Sequence, residues 1–328
     1  MGNGMLSRVA ENLYWMSRYM ERAENLVRLL IDAFQLELEI GSHPEKEVRP
    51  LEQVLKILNC PELFYRFRKN DLSTGEHNEE ILYLLTFDKA YSISIADMIA
   101  RARENAKSVQ DTLSTEAWSQ LNLLHLYLNS PKADQRFQSG AFRFFQKIKR
   151  ECHLIVALLD TTLPRTEAFH FITVARYLER IDMLSRMINA HCQSYEPIRN
   201  GHLNNGAGPR LVQWASLLKS CSAHEAYLRH SNEYIDPPGV IRYLMLEEDF
   251  PRSMRFAVDI CLQSLDTIRG DNSRSGTSIE KYLGRLKSEL RYMDIEETLE
   301  SGISPFLVSI QDICLMVGNE IESTYFRT

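Results

Sequence analysis

Alternation of apolar and polar residues is hardly seen in this 328-residue sequence, which argues against any fold built on strands. No uninterrupted apolar run approaches the roughly 20 residues that a membrane-spanning helix requires. The N-terminus has no basic flank followed by an apolar signal core. The six cysteines (Cys60, Cys152, Cys192, Cys221, Cys261 and Cys314) include no C-x-x-C pair, so reduced thiols in a cytoplasmic protein are the expectation. Positive charge is in short supply: a net charge of −6 offers no global field for a nucleic-acid backbone or an anionic membrane. Neither partner is expected, and any anion site must be local.

Catalytic signatures are missing too. There is no G-x-x-x-x-G-K-[ST], G-x-G-x-x-G, H-E-x-x-H or G-x-S-x-G, so ATP chemistry by this chain alone is not expected. One E-x-x-H occurs, Glu167 to His170, whereas a di-iron bundle uses two together with two further carboxylates. His170 reads as a helix-start or core histidine, and no metal or cofactor is expected.

What fills the sequence is helical periodicity. From Ser7 to Ile40 no proline or glycine intrudes, and Val9, Leu13, Met16, Met20, Ala23, Val27, Leu30 and Phe34 recur at steps of three and four. Ser7 is the expected N-cap and Gly41 the expected stop. Further helices are expected over 50–69, 79–87, 94–112, 115–129 and 140–160, with breaks at Pro44, 71–78 and 131–140. After a turn at 160–166 the pattern resumes over 167–195, 210–231, 238–248, 251–269, 278–294 and 305–326, with polar loops at 200–209 and 269–276.

The two series also match in sequence. RYMERAENLVRLL (18–30) returns as RYLERIDMLSRMI (176–188), LEQVLKIL (51–58) as LVQWASLL (211–218), and LTFDKAYSISI (85–95) as LMLEEDFPRSM (244–254). Three matches in one order at nearly one spacing read as a tandem duplication of a unit of roughly 160 residues. The expected fold is an all-α bundle of about twelve helices, six per repeat, related by a pseudo-twofold axis. The repeats span 5–160 and 165–328 and pack as one globular unit.

The repeated charges lie opposite the apolar stripe: Arg18, Glu21, Arg22, Asn25 and Arg28 in the first copy, Arg176, Glu179, Arg180 and Arg186 in the second, with Asp182 in the place of Glu24. As surface pairs they contribute a few tenths of a kcal/mol each. A buried Arg–Glu network across the pseudo-twofold axis accounts for them structurally, because removing one member strands a charge at about 3–5 kcal/mol. A functional account stands beside it. Arginines outnumber acids in each copy, and guanidinium forks fit carboxylate or phosphate, with the glutamates orienting them. Arg103, Glu104 and Asn105 echo the motif on another helix. FPRSM (250–254) sets Pro251 in the first turn of a helix, where exposed amides favour anions and Arg252 adds charge.

Taken in order, LYWMSRYMERAENLVRLL, ARENAKSVQDTLSTEAWSQLN, ARYLERIDMLSRMI and FPRSM resemble the bacterial alpha-E domain proteins, helical proteins named for an ER motif. The resemblance covers nearly the whole chain from Met5. It makes Glu21 with Arg22, and Glu179 with Arg180, the ER residues, and AYSISI (90–95) stands where the family shows an Asn-Pro-Ser-like turn. It also implies a setting. Such proteins are encoded beside, or fused to, a circularly permuted ATP-grasp ligase, often near a transglutaminase-like peptidase and a proteasome-related peptidase.

Three functions are open at this point. The first is a helical partner of an ATP-grasp amide or peptide ligase, not itself an enzyme, that holds an anionic substrate such as a peptide carboxylate at the duplicated Arg/Glu face. The second is an enzyme acting on amide or acyl groups with Glu21 or Glu179 as acid or base. A carboxylate crowded by arginines has a lowered pKa and makes a poor general acid. The third is a structural scaffold.

Overall fold

The computed structural model describes residues 6–40, 49–69, 74–90, 92–199, 207–231, 234–270 and 277–326. It holds sixteen α-helices among them: α1 (Ser7–Ile40), α2 (Pro50–Ile57), α3 (Pro61–Lys69), α4 (Thr74–Phe87), α5 (Ile95–Ser108), α6 (Thr115–Leu128), α7 (Ala133–Gln138), α8 (Ala141–Thr162), α9 (Glu167–Arg199), α10 (Ala207–Ser220), α11 (His224–His230), α12 (Pro237–Leu246), α13 (Met254–Arg269), α14 (Thr277–Arg291), α15 (Ile295–Ser301) and α16 (Ser304–Ile321). No strand occurs among the described residues. The all-α class is as expected, but the count exceeds twelve.

Half of the excess has a local cause. Asn59 (φ 54°) ends α2 and Ser222 (φ 52°) ends α10, so the expected spans 50–69 and 210–231 each split in two. A left-handed residue cannot continue a helix, and asparagine tolerates that conformation better than most. Two short helices, α7 and α15, fall in stretches not expected to be helical, and α4 starts within the expected break at 71–78. The expected stop at Gly41, the break at Pro44 and most of the loops at 200–209 and 269–276 lie outside the described residues.

The two longest helices, α1 and α9, pack against each other at the centre. Around α1 stand α5 and α8, with α6 against both; around α9 stand α13 and α16, with α14 against both. Buried residues from Ala10 to Ile321 form one continuous apolar cluster. The entry into α5 and α13 is set by the same device. Ser94 accepts from Asp97 N, Ser253 accepts from Phe256 N, and both serines are fully buried. AYSISI therefore does start a helix, capped by its second serine.

Because α1 is enclosed by α5, α8, α9 and α10, its polar side is buried along with its apolar stripe. Glu21, Glu24, Asn25 and Arg28 are each at most 5% exposed. Buried charges persist only when paired, so the packing of α1 on α9 is a question of how those charges are answered. Among the described residues no single helix is long and apolar enough to cross a membrane. The pair Ile295–Ser301 and Ser304–Phe326 reaches that length and apolarity only when taken together, across a bend of 102°.

Candidate functional site

Where α1 meets α9, each helix answers the other's glutamate. Arg180 on α9 places Nε 2.9 Å and Nη2 3.2 Å from the two carboxylate oxygens of Glu21 on α1. In return, Glu179 on α9 accepts from Arg22 Nε at 2.7 Å, and Arg18 Nε lies 2.8 Å from its other oxygen. Both carboxylates are at most 2% exposed. The E–R dipeptides of the two helices thus exchange partners across the crossing.

Glu24 is a second hub, one turn along α1. Arg252 Nη2 and His153 Nε2 each lie 2.8 Å from Glu24 Oε1, and Arg28 Nε lies 3.5 Å from the same oxygen. Burial pushes the Glu24 carboxyl up, but Arg252, Arg28 and the His153 hydrogen bond outweigh it and hold the group well below the usual carboxylate range. Arg252 gets there through the turn before α13: Arg180 Nη1 donates to the Pro251 carbonyl at 3.0 Å, tying that turn to the Glu21 pair. Pro251 is not in the first turn of a helix, as the FPRSM stretch suggests. Ser253 is the cap and α13 starts at Met254, so Pro251 contributes a carbonyl and Arg252 a side chain, with no helix N-terminus at Arg252.

The charges do not balance. Arg18, Arg22, Arg28, Arg180 and Arg252 surround three carboxylates, Glu21, Glu24 and Glu179, leaving a surplus of two positive charges. The surplus shows in geometry and in protonation. Arg18 Nη1, Arg28 Nη1, Arg252 Nη1 and Asn25 Nδ2 are buried donors without a hydrogen-bond partner among the described residues. Arg28 donates its Nη2 to Asn25 Oδ1, yet burial, and after it the like charge of Arg252, push its guanidinium down to about 10. Lys149 on α8 is likewise lowered, by burial first and then by Arg28. A cavity of about 20 Å³ beside Arg28, Arg180 and Arg252 has room for roughly one water. The Glu24 side opens to solvent at His153, 45% exposed, and Arg22, on the opposite edge of the polar face of α1, is 36% exposed.

Several expected site residues stand elsewhere. Arg176 pairs with Asp160 at 3.2 Å, because Asp160 at the end of α8 reaches it from the opposite side to Glu21. Arg186 closes on Asp182 of its own helix at 2.9 Å. Arg103 donates to Asn122 on α6, pairs with Glu104 and lies over the Trp118 ring; with Asn105 these residues belong to the α5–α6 contact, not to the α1–α9 seam. The sequence reading passed over His153 and Lys149. They sit one turn apart in KIKRECH, beside the buried stripe Phe145, Ile148 and Cys152 of α8, and that adjacency was the available signal.

A family described as a predicted alpha-helical domain with a conserved ER motif, Alpha-E, matches residues 5–326. This chain belongs to the Alpha-E family. Neither a curated protein nor a solved structure matches it. The motif for which Alpha-E is named occurs twice here, and both copies lie in the exchanged pairs at the helix crossing.

A half-buried histidine farther along α9 carries a pH prediction for this Alpha-E protein. His191 Nδ1 donates to the Met187 carbonyl at 2.8 Å, and burial pushes its pKa down to about 4. The unfolded chain takes up this proton near pH 6.5, before the folded chain does. Stability is therefore level above about pH 6.5 and falls as the pH drops toward 4. Denaturation midpoints at pH 7.5 and 5 should show this loss in the native protein and a reduced loss in His191→Gln. Equal losses in both would remove His191 as the cause.

Proposed function

We propose that this Alpha-E protein is a tandem duplication acting in the cytoplasm as the non-catalytic helical partner of an ATP-grasp amide or peptide ligase. In this reading its Arg/Glu seam holds an anionic group of the substrate, a carboxylate or phosphate. The duplication is supported by the paired surroundings of α1 and α9, by the matched caps Ser94 and Ser253, and by the matched buried series Ile148, Cys152, Ile155, Leu159 and Ile310, Cys314, Val317, Ile321. The ligase enters through the family resemblance alone.

The arginine surplus is shared, one at Glu179 and one at Glu21 with Glu24, so the observation that carries the anion reading is that Lys149 and His153 add further basic groups beside Glu24. In the register of the duplication, Lys149, His153 and Arg252 around Glu24 correspond to Gln311, Leu315 and Ile93 around Asp182. If the network served architecture alone, nothing would require Lys149 and His153 beside one carboxylate hub and neutral residues at the matching places of the other. The interior has no room for a substrate, so the anion docks at the open flank, against Arg252, His153 and Lys149. Acid–base catalysis by Glu21 or Glu179 is disfavoured, because both are enclosed and held by arginines, away from any substrate proton. The scaffold reading describes the exchanged pairs well but not the surplus.

Co-purification with the neighbouring ligase tests the partner. The expected result is a complex whose ATP consumption or product range differs from that of the ligase alone, with no turnover by this chain alone. No complex together with unchanged ATP consumption would contradict the reading.

A further inference from the structure

A separate cavity stands away from the charged seam. It lies on the far side of the 247–253 turn, has a volume of about 440 Å³, and is walled by Tyr227, Tyr234 and Tyr243, with His230, Asp236 and Glu247 completing the lining. That volume is in the range of small-ligand sites. The Tyr227 and Tyr243 rings meet edge to face at 5.4 Å and an interplanar angle of 77°, forming a corner that Tyr234, 69% exposed, leaves open to solvent.

The floor is built and rigid. Asp236 caps α12 by accepting from Gly239 N at 3.1 Å, and the Tyr227 hydroxyl lies 3.5 Å from its other oxygen. A Cβ on residue 239 would stand 2.5 Å from Asp236 Oδ1 and 2.6 Å from the Tyr227 hydroxyl, so only glycine leaves this floor in place. The charges favour one sign. Arg242, also in the lining, is matched by Glu296 of α15, and His230 Nδ1 is 3.7 Å from Glu247 Oε2. Asp236 and Glu247 thus leave the cavity negative beside aromatic walls. The phenols register this field: burial first, then Asp236 for Tyr227 and Glu247 for Tyr243, push both hydroxyls up.

We propose that this cavity binds a cationic group, an ammonium or guanidinium on an aliphatic chain, with the tyrosine rings as walls and Asp236 and Glu247 as counter-charges. Aromatic faces and carboxylates both attract a cation, and neither welcomes an anion. The site is separate from the anion flank, although the turn bearing Arg252 borders both: Tyr243 packs on Phe250 at 5.1 Å, and Ser253 donates to the Glu247 carbonyl.

Calorimetric titration of the full chain with cadaverine, agmatine and neutral 1,5-pentanediol tests this. Cadaverine or agmatine should bind and the diol should not. Glu247→Gln should weaken the cation by roughly tenfold. Tyr234→Ser, which removes an exposed ring and leaves the core intact, should weaken it several-fold, and Arg252→Met should leave it unchanged. No heat from either cation up to about 10 mM, equal binding of the diol, or indifference to both Glu247→Gln and Tyr234→Ser would overturn the proposal. Loss on Arg252→Met would mean that the turn and not the cavity wall governs binding, and would overturn the proposal equally.

Discussion

Replacing Glu179 by glutamine is expected to lower the stability of this Alpha-E protein by about 3–5 kcal/mol. The change keeps the shape of the side chain but removes the counter-charge of two guanidiniums, Arg18 and Arg22, in a place only 1% exposed. Against a typical total of about 5–15 kcal/mol the loss is severe, a fall in midpoint temperature on the order of 10 °C. Arg18 cannot relax into water, since it is buried and already has donors unmet, whereas Arg22 is 36% exposed. Glu104→Gln, at an exposed carboxylate outside the seam, should move stability by less than about 0.5 kcal/mol. Replacing Glu179 together with Arg18 and Arg22 by Leu, Met and Met should recover much of the loss, because no charge is then stranded. Urea denaturation of the four proteins decides it. A Glu179→Gln protein as stable as the native one would mean that the exchanged pairs hold nothing together.

Arg252→Met should have the opposite profile: little change in stability and a large change in binding. Arg252 shares Glu24 with Arg28 and His153, and it crowds Arg28, so its removal relieves a like-charge contact while Glu24 keeps Arg28 and the His153 hydrogen bond. Stability should shift by about 1 kcal/mol or less. On the proposed function, stabilisation of the native protein by phosphate or acetate should be lost in this variant, with affinity falling about 10- to 100-fold. Arg186→Met, at Asp182 where neither a lysine nor a histidine stands beside the carboxylate, should leave that stabilisation unchanged. Equal effects of the two substitutions, or no stabilisation of the native protein by either anion, would count against an anion site at Glu24.

How much of this was legible in the residues follows from what repeats and what does not. The stripe from Val9 to Phe34 and the recurrence of Arg18, Glu21 and Arg22 as Arg176, Glu179 and Arg180 pointed to helices with repeated charge, and all of these but Arg176 do meet across α1 and α9. The cross-exchange itself was not legible. Arg22 pairs with Glu179 instead of its sequence neighbour Glu21, and only the crossing of two helices decides between them. Arg176 and Arg186 have the same spacing as Arg18 and Arg28 yet close on Asp160 and Asp182, because local carboxylates lie nearer than the seam. Asp32 ties α1 to α10 by accepting from Ser216 and Ser220, a buried contact between residues with no motif to announce it. The splits at Asn59 and Ser222 depend on single left-handed residues, which periodicity does not register.

The most direct test is a double-mutant cycle on Arg22 and Glu179, with Arg22 and Glu21 as the control cycle, read by urea denaturation. Exchange across the helices predicts a coupling of about 1–3 kcal/mol for the distant pair and under about 0.5 kcal/mol for the sequence neighbours. The reverse ranking, or no coupling in the Arg22–Glu179 cycle, would contradict a shared interior charge centre.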